Sequence, residues 1–330
     1  MRVDLISIDL KLRRPLTTSR GVCINRNGLL VKISDGSATG WGEAMPLPGW
    51  PGTDLSATRH ALQRWAADLD LDNLPRDKFA HAAVELALLD LEARRTGQTQ
   101  AEVLADGPVA DSVQVNALVD SATEAAAATA AGYRAIKLKV GASELAADVA
   151  LVAAVRRVIG SDTRLRLDAN GAWAVEEVAE VLARLKQYDI EYVEEPLAGL
   201  EALAQAARQF PIPVAVDDSL GSVEAQVPQP ISVVVVKPMT LGGPRTAYGA
   251  ACRWIAQGRK VVITNYLDSA IGQHAALSVA AALSGPSQIH GAITPNLFTH
   301  DLADLPSIAN GRCGVPRHSP VPVGPGLKHV

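Results

Sequence analysis

Apolar and polar residues alternate along residues 3–10, and a second β-rich run at 29–33 ends at the turn pair Asp35-Gly36. The stretch from Gly40 to Gly52 is rich in Gly and Pro and reads as a loop, ordered because it carries Trp41 and Trp50. The period then changes. Residues 56–69 and 78–95 carry apolar residues at three- and four-residue intervals (Phe79, Ala83, Leu86, Leu89 and Ala93 in the second), which predicts two helices, the second stopped by Gly97. Residues 1–105 are thus predicted to form an α+β unit.

From about Asp111 short β-rich runs alternate with Ala-rich helical patterns. Eight runs are visible, at 112–119, 135–140, 164–169, 190–195, 213–217, 231–237, 260–264 and 288–292. Ser121 with Glu124 reads as a capping box, Gly132 and Gly160 as helix stops, and 243–257 and 268–283 as further helices. Strand and helix repeated eight times predict an α/β fold, a TIM-type (β/α)8 barrel over 106–300. A doubly wound open sheet is the competitor, but its Gly-rich fingerprint after the first strand is missing. The Pro- and Gly-rich tail, 301–330, is expected to return and complete the N-terminal unit as a capping domain.

Composition narrows the partners. The chain has 330 residues, 48% of them hydrophobic, enough for one large core and a smaller one. A net charge of −4, without a basic run, argues against nucleic acid. The longest apolar stretch, 275–283, is too short to span a membrane, and residues 1–12 alternate instead of forming a signal-peptide core. Cys23, Cys252 and Cys313 lie far apart and read as reduced thiols of a cytoplasmic protein. Monomer and homo-oligomer both stay open.

Barrel chemistry sits at the C-terminal ends of the strands. There the second run carries Lys137 and Lys139, the third Asp168 and Asn170, the fourth Glu194 and Glu195, the fifth Asp217 and Asp218, and the sixth Lys237. A single charged strand end is usually just solvated. Five in succession, in the order lysine, acid, acid, acid, lysine, point to a site. Carboxylates brought together repel unless a cation lies between them, and hard oxygen donors suit Mg²⁺, with Mn²⁺ as a substitute. The seven histidines show no zinc spacing. Lys137 and Lys139 share one strand face, so each would depress the other's pKa and one could serve as a neutral base. Lys137 reads equally well as a structural or electrostatic group. Glu195 and Asp218 read as supporting or surface carboxylates, and Asn170 as an orienting amide. The chemistry implied is metal-assisted proton abstraction beside the carboxylate of a small molecule.

These residues resemble the muconate-lactonizing subgroup of the enolase superfamily over almost the whole chain. The resemblance rests on Gly-Trp-Gly-Glu-Ala with Pro-Leu-Pro-Gly, the helix around Phe79–Leu91, Lys137-x-Lys139, Asp168-Ala-Asn170, Glu194-Glu195-Pro196, Asp217-Asp218-Ser219 and Lys237-Pro238. It implies Asp168, Glu194 and Asp217 as metal ligands, Lys139 as the base and Lys237 as the facing lysine. Two cap loops would close over the substrate, one with Ser19 and Arg20, the other with Trp50; Trp50 could equally serve packing. Within the superfamily the chain is similar to the o-succinylbenzoate synthases of menaquinone biosynthesis, lyases that dehydrate 2-succinyl-6-hydroxy-2,4-cyclohexadiene-1-carboxylate. The segment Thr264-Asn265-Tyr266-Leu267-Asp268-Ser269 carries that similarity and would open a helix whose N-terminus receives a substrate carboxylate. Asp218, Thr264-Asn265 and Asp268 stand where Glu, Ser-Ser and Glu are usual. Two facing lysines also permit N-succinylamino acid racemisation, and muconate cycloisomerisation is a third option. Dipeptide epimerisation is disfavoured because residues 289–294 hold no acid. A non-catalytic barrel binding an acidic metabolite would predict a broken position among the five, and all five are present.

Overall fold

The computed structural model describes residues 1–18, 21–50, 54–283, 285, 288–324 and 326–329. The N-terminal unit begins with strands β1 (Arg2–Thr18), β2 (Gly21–Ser34) and β3 (Thr39–Ala44). They form an antiparallel sheet, and the chain's last strand, at Leu327–His329, pairs with β1 on the far edge. Helices α1 (Leu55–Asp68), α2 (Lys78–Thr96) and α3 (Gln100–Leu104) follow. One face of the sheet packs Leu29, Val31 and Ile33 against Trp65, Phe79 and Val84. On the other, Ile6, Ile8, Leu10 and Leu30 meet Met239, Ile271 and Ala275 of the barrel, which seats the cap on it.

The loop expected across Gly40 to Gly52 is corrected in its first part, which is β3. Gly40 and Gly42 are there because α2 lies directly against the strand: a Cβ on either would collide with the carbonyl of Ala87 or Ala83. A close helix–strand approach uses the same residue type as a turn.

The barrel strands are β4 (Ser112–Val115), β5 (Ala117–Val119), β6 (Ala135–Lys139), β7 (Arg164–Asp168), β8 (Ile190–Glu194), β9 (Val214–Val216), β10 (Val233–Val236), β11 (Lys260–Ile263) and β12 (Ile289–His290). Between them come α4 (Ala122–Ala130), α5 (Leu145–Ile159), α6 (Val178–Leu185), α7 (Leu200–Gln209), α8 (Pro244–Ala256) and α9 (Ala270–Leu283). β5 to β11 pair in parallel and in chain order. β12 joins β11 through the Thr264–Gly291 bridge and pairs in parallel with β4, so the barrel closes. Two short strands, β13 (Ile308–Ala309) and β14 (Arg312–Gly314), then add to β4, and β15 (Leu327–His329) is the strand that returns to the cap.

Strict strand–helix alternation fails twice. Among the described residues no α-helix lies between β9 and β10, where Pro228 and Pro230 interrupt the chain, and none follows β12. The first expected strand is split at Asn116 into β4 and β5.

Outward side chains such as Ile136, Leu138, Leu165, Val193, Val216, Val234 and Ile263 join the helices in the main core. Inward ones alternate with them: Tyr192, Ala215, Val233, Val235 and Val262 form a small core inside the barrel. Below it Arg166 is fully buried, donating to Glu191 Oε2 at 2.6 Å, Asn116 Oδ1 at 3.0 Å and the Ile289 carbonyl at 3.0 Å. Glu191 reaches it because the β7–β8 register shifts there: Leu165 pairs with Ile190 but Arg166 with Tyr192, so Glu191 bulges out of sequence. Arg164 and Lys260 also bind Glu191.

Candidate active site at the barrel mouth

Register places the mouth residues side by side. Lys139 pairs with Asp168 across β6–β7, and Asp168 with Glu194 across β7–β8; Asp217 and Lys237 follow directly on β9 and β10. Lys137 Nζ lies 3.0 Å from Asp168 Oδ2 and 2.7 Å from Glu194 Oε1, while Lys139 Nζ is 3.8 Å from the same Asp168 oxygen. Across the mouth Lys237 Nζ bridges Asp217 Oδ2 at 2.6 Å and Asp218 Oδ1 at 2.7 Å. Lys137 and Lys237 are largely shielded, whereas the Lys139 side chain is 52% exposed.

The expectation that the two neighbouring lysines would depress each other is overturned for Lys137. Burial opposes its charge, yet Asp168 and Glu194 hold its pKa well above the ordinary lysine value. Lys237, also buried, is raised by Asp217 and Asp218. The acids diverge. Burial pushes Glu194 up to about 8 despite Lys137, with Asp168 and Asp217 adding to the rise. Burial likewise raises Asp217, whereas Asp168 is buried but lowered by Lys137 and Lys139.

Among the described residues no three His, Cys, Asp or Glu side chains close on one point as a metal cage. The ammonium groups of Lys137 and Lys237 stand among the carboxylates instead. The donor set is nevertheless hard and all-oxygen, from three neighbouring strand ends, and Asp218 brings the mouth to four acids against three lysines. That chemistry fits a divalent cation of the magnesium type.

Glu195 supports the site from behind. Its carboxylate accepts from Asp217 N at 2.7 Å, Ser219 N at 3.0 Å and Ser219 Oγ at 2.7 Å, and burial pushes it up to about 7. Glu195 and Asn170, both immediately or closely past an acidic strand end, adopt left-handed φ values of 45° and 48°. Asn170 turns its backbone N–H onto Asp168 Oδ1 at 3.2 Å and leaves its side chain exposed.

Other expected residues lie elsewhere or do different work. Trp50 reaches the mouth from the cap: its indole N–H donates to Asp218 Oδ2 at 3.4 Å. Ser19 and Arg20 lie outside the described residues. Thr264 donates to the Gly291 carbonyl at 3.1 Å, and Asn265 holds the Gly291 and Ala292 carbonyls and Thr294 Oγ1. Both therefore stitch β11 to the segment around β12. The helix N-terminus expected to receive a substrate carboxylate is already filled by the protein. Glu43 accepts from the N–H groups of Ser269 and Gly272, at 3.1 Å each, and from Ser269 Oγ; Asp301 takes the Ala270 N–H at 2.9 Å. Asp268 and Ser269 are buried in this seam, Asp268 accepting from Tyr266 N at 2.7 Å.

Three residues escaped the sequence reading. Glu43 carries only the weak signal of an acid in a Gly-Trp-Gly-Glu strand. Arg26, with no sequence signal, is fully buried and donates to the carbonyls of Met45 and Pro46 in the cap and of Tyr266 and Leu267 after β11. Tyr266 places its ring 5.7 Å from both the Arg26 guanidinium and Lys237 Nζ.

Residues 120–327 match the family described as enolase C-terminal domain-like, and residues 4–86 match that described as MenC, N-terminal domain. The chain belongs to the enolase superfamily. The o-succinylbenzoate synthase of Thermobifida fusca is 31% identical over 320 residues, covering 94% of this chain and 85% of that protein. A hydrophobic dipeptide epimerase of Roseobacter litoralis is also 31% identical, over 302 residues, covering 85% and 88%. Among solved structures, the muconate lactonizing enzyme of Pseudomonas fluorescens superposes with a TM-score of 0.85 at 24% identity, covering 96% and 94% of the two chains. The chain is thus a superfamily enzyme with a modified TIM barrel and a capping domain, in keeping with the resemblance drawn from its motifs. No helix of the described residues is long and apolar enough to cross a membrane.

Proposed function

We propose that this enzyme is an o-succinylbenzoate synthase, a lyase that removes water from 2-succinyl-6-hydroxy-2,4-cyclohexadiene-1-carboxylate to form 2-succinylbenzoate, in the cytoplasm and in menaquinone biosynthesis. The observation that carries this reading is the similarity to the Thermobifida fusca synthase along 94% of the chain, together with the MenC-type N-terminal match. In this reading residues 106–300 form the catalytic barrel and 1–105 the cap; of the tail expected to complete the cap, β15 does so on β1, whereas β13 and β14 stay on β4 of the barrel.

In this reading Asp168, Glu194 and Asp217 hold Mg²⁺, for which Mn²⁺ can substitute. When bound, such an ion would supply positive charge at the substrate carboxylate. Lys139 is the base. It is the less encumbered of the two β6 lysines, its ion pair among the described residues being with Asp168 at 3.8 Å, whereas Lys137 is pinned in its protonated form by two carboxylates. As the free amine, Lys139 takes the proton from the ring carbon bearing the carboxylate. That C–H electron pair enters the ring, the C–O bond to the neighbouring hydroxyl breaks, and the hydroxide departs with the proton Lys139 has gained, as water. The ring is left aromatic. Lys237, kept protonated by Asp217 and Asp218, faces the developing negative charge.

Racemisation of N-succinylamino acids is the second reading, favoured by the same pair of lysines and the likeness to an epimerase. The test is loss of diene absorbance when purified protein and Mg²⁺ meet the cyclohexadiene substrate. Turnover abolished both by EDTA and by Lys139→Ala supports the synthase. Absence of turnover by folded, metal-loaded protein rejects it and directs attention to deuterium exchange on N-succinylamino acids.

A further inference from the structure

The two oxygens of Asp218 do different things: Oδ1 accepts from Lys237 Nζ at 2.7 Å, and Oδ2 from the Trp50 indole N–H at 3.4 Å. The first partner belongs to the barrel, the second to the cap. Asp218 itself stands on fixed backbone. It opens the 3-10 turn Asp218–Leu220, and Glu195 clamps the N–H groups on either side of it, at Asp217 and Ser219. The cap segment is tethered nearby as well, because Arg26 binds the carbonyls of Met45 and Pro46 while facing the Tyr266 ring that lies beside Lys237.

We propose that Asp218 is a positioning residue that couples seating of the Trp50 loop to the orientation of Lys237. The inference rests on the reading above only in taking Lys237 as a working group. With Trp50 seated, Oδ2 is held and the carboxylate plane is fixed, so Oδ1 presents a single direction to the ammonium group. With Trp50 displaced, the carboxylate turns about its side-chain bonds and Lys237 falls back on Asp217 alone. The seating of Trp50 is thereby reported to Lys237.

The coupling is readable without turnover. The emission of Trp50, taken as wild type minus Trp50→Phe, should shift when Lys237→Met removes the other partner of Asp218, and shift in the same sense in Asp218→Asn. In the diene assay, Trp50→Phe should lower kcat about tenfold with KM little changed, the scale of one hydrogen bond to a charged group. Asp218→Asn should cost about as much, the double variant no more than Asp218→Asn alone, and Asp218→Glu should recover most of kcat. If the wild type turns over and the two single effects multiply, the coupling is refuted. If it does not turn over, the synthase reading fails, and Trp50 emission decides the coupling: a shift in Lys237→Met upholds it, and an unchanged spectrum overturns it.

Discussion

Two clusters of charge share the inside of one barrel, and they are built to opposite plans. At the lower end a single carboxylate, Glu191, is surrounded by Arg164, Arg166 and Lys260, and Arg166 spends its remaining donors on Asn116 and a backbone carbonyl. At the mouth, Asp168, Glu194, Asp217 and Asp218 meet Lys137, Lys139 and Lys237. The titration of the two glutamates on β8 records the difference. Glu191 is buried but lowered by Arg166, while burial lifts Glu194 to about 8. A cation-rich cluster tied around one carboxylate plugs a barrel. The mouth, with four acids to three lysines under a cap, offers oxygens that a metal would take over from the ammonium groups in the proposed reading.

The largest expected effect lies at the mouth and concerns rate alone. Lys139→Ala should reduce kcat by about 10³ or more, the scale of a lost general base, with the melting temperature nearly unchanged because that side chain is half exposed. Arg166→Met should do the reverse. It strands Glu191 with its two remaining partners and should lower stability by about 3 kcal/mol, measured by denaturant unfolding, while kcat in the folded fraction changes little. A variant of Arg166 that loses activity but not stability would erase the distinction between the clusters.

The smallest effect is a pH dependence with opposite signs at the two ends. In metal-free protein, Glu194 is raised from the ordinary 4.5 to about 8, so its contribution to stability is present below the ordinary value and lost as pH rises through about 8. Glu191 is lowered, so its contribution is present above the ordinary value and lost as pH falls through the depressed one. Thermal melts across pH in EDTA should therefore lose the alkaline slope in Glu194→Gln and the acid slope in Glu191→Gln. Identical profiles for both variants would show that the two sites are not electrostatically distinct.

The mouth was legible in the sequence because a barrel converts strand order into spatial order: Lys139, Asp168, Glu194, Asp217 and Lys237 each end or follow a β-rich run, and parallel pairing sets them in a row. The lower cluster was not, since Glu191 turns inward only through a bulge that alternation cannot announce. Gly40 and Gly42 were misread because a turn and a close helix approach call for the same missing side chain. The α9 N-terminus was misassigned for a related reason. Its free N–H groups are a local property, but Glu43, which occupies them, comes from more than two hundred residues away.

The most direct test is a calorimetric titration of Mg²⁺, repeated with Mn²⁺, into wild type, Glu194→Gln and Arg166→Met. The acid-rich mouth predicts a single site in the wild type, lost or severely weakened in Glu194→Gln and retained by folded Arg166→Met. Binding that survives Glu194→Gln, or a folded wild type that binds neither ion, would contradict the assignment of the mouth as a metal-dependent active site.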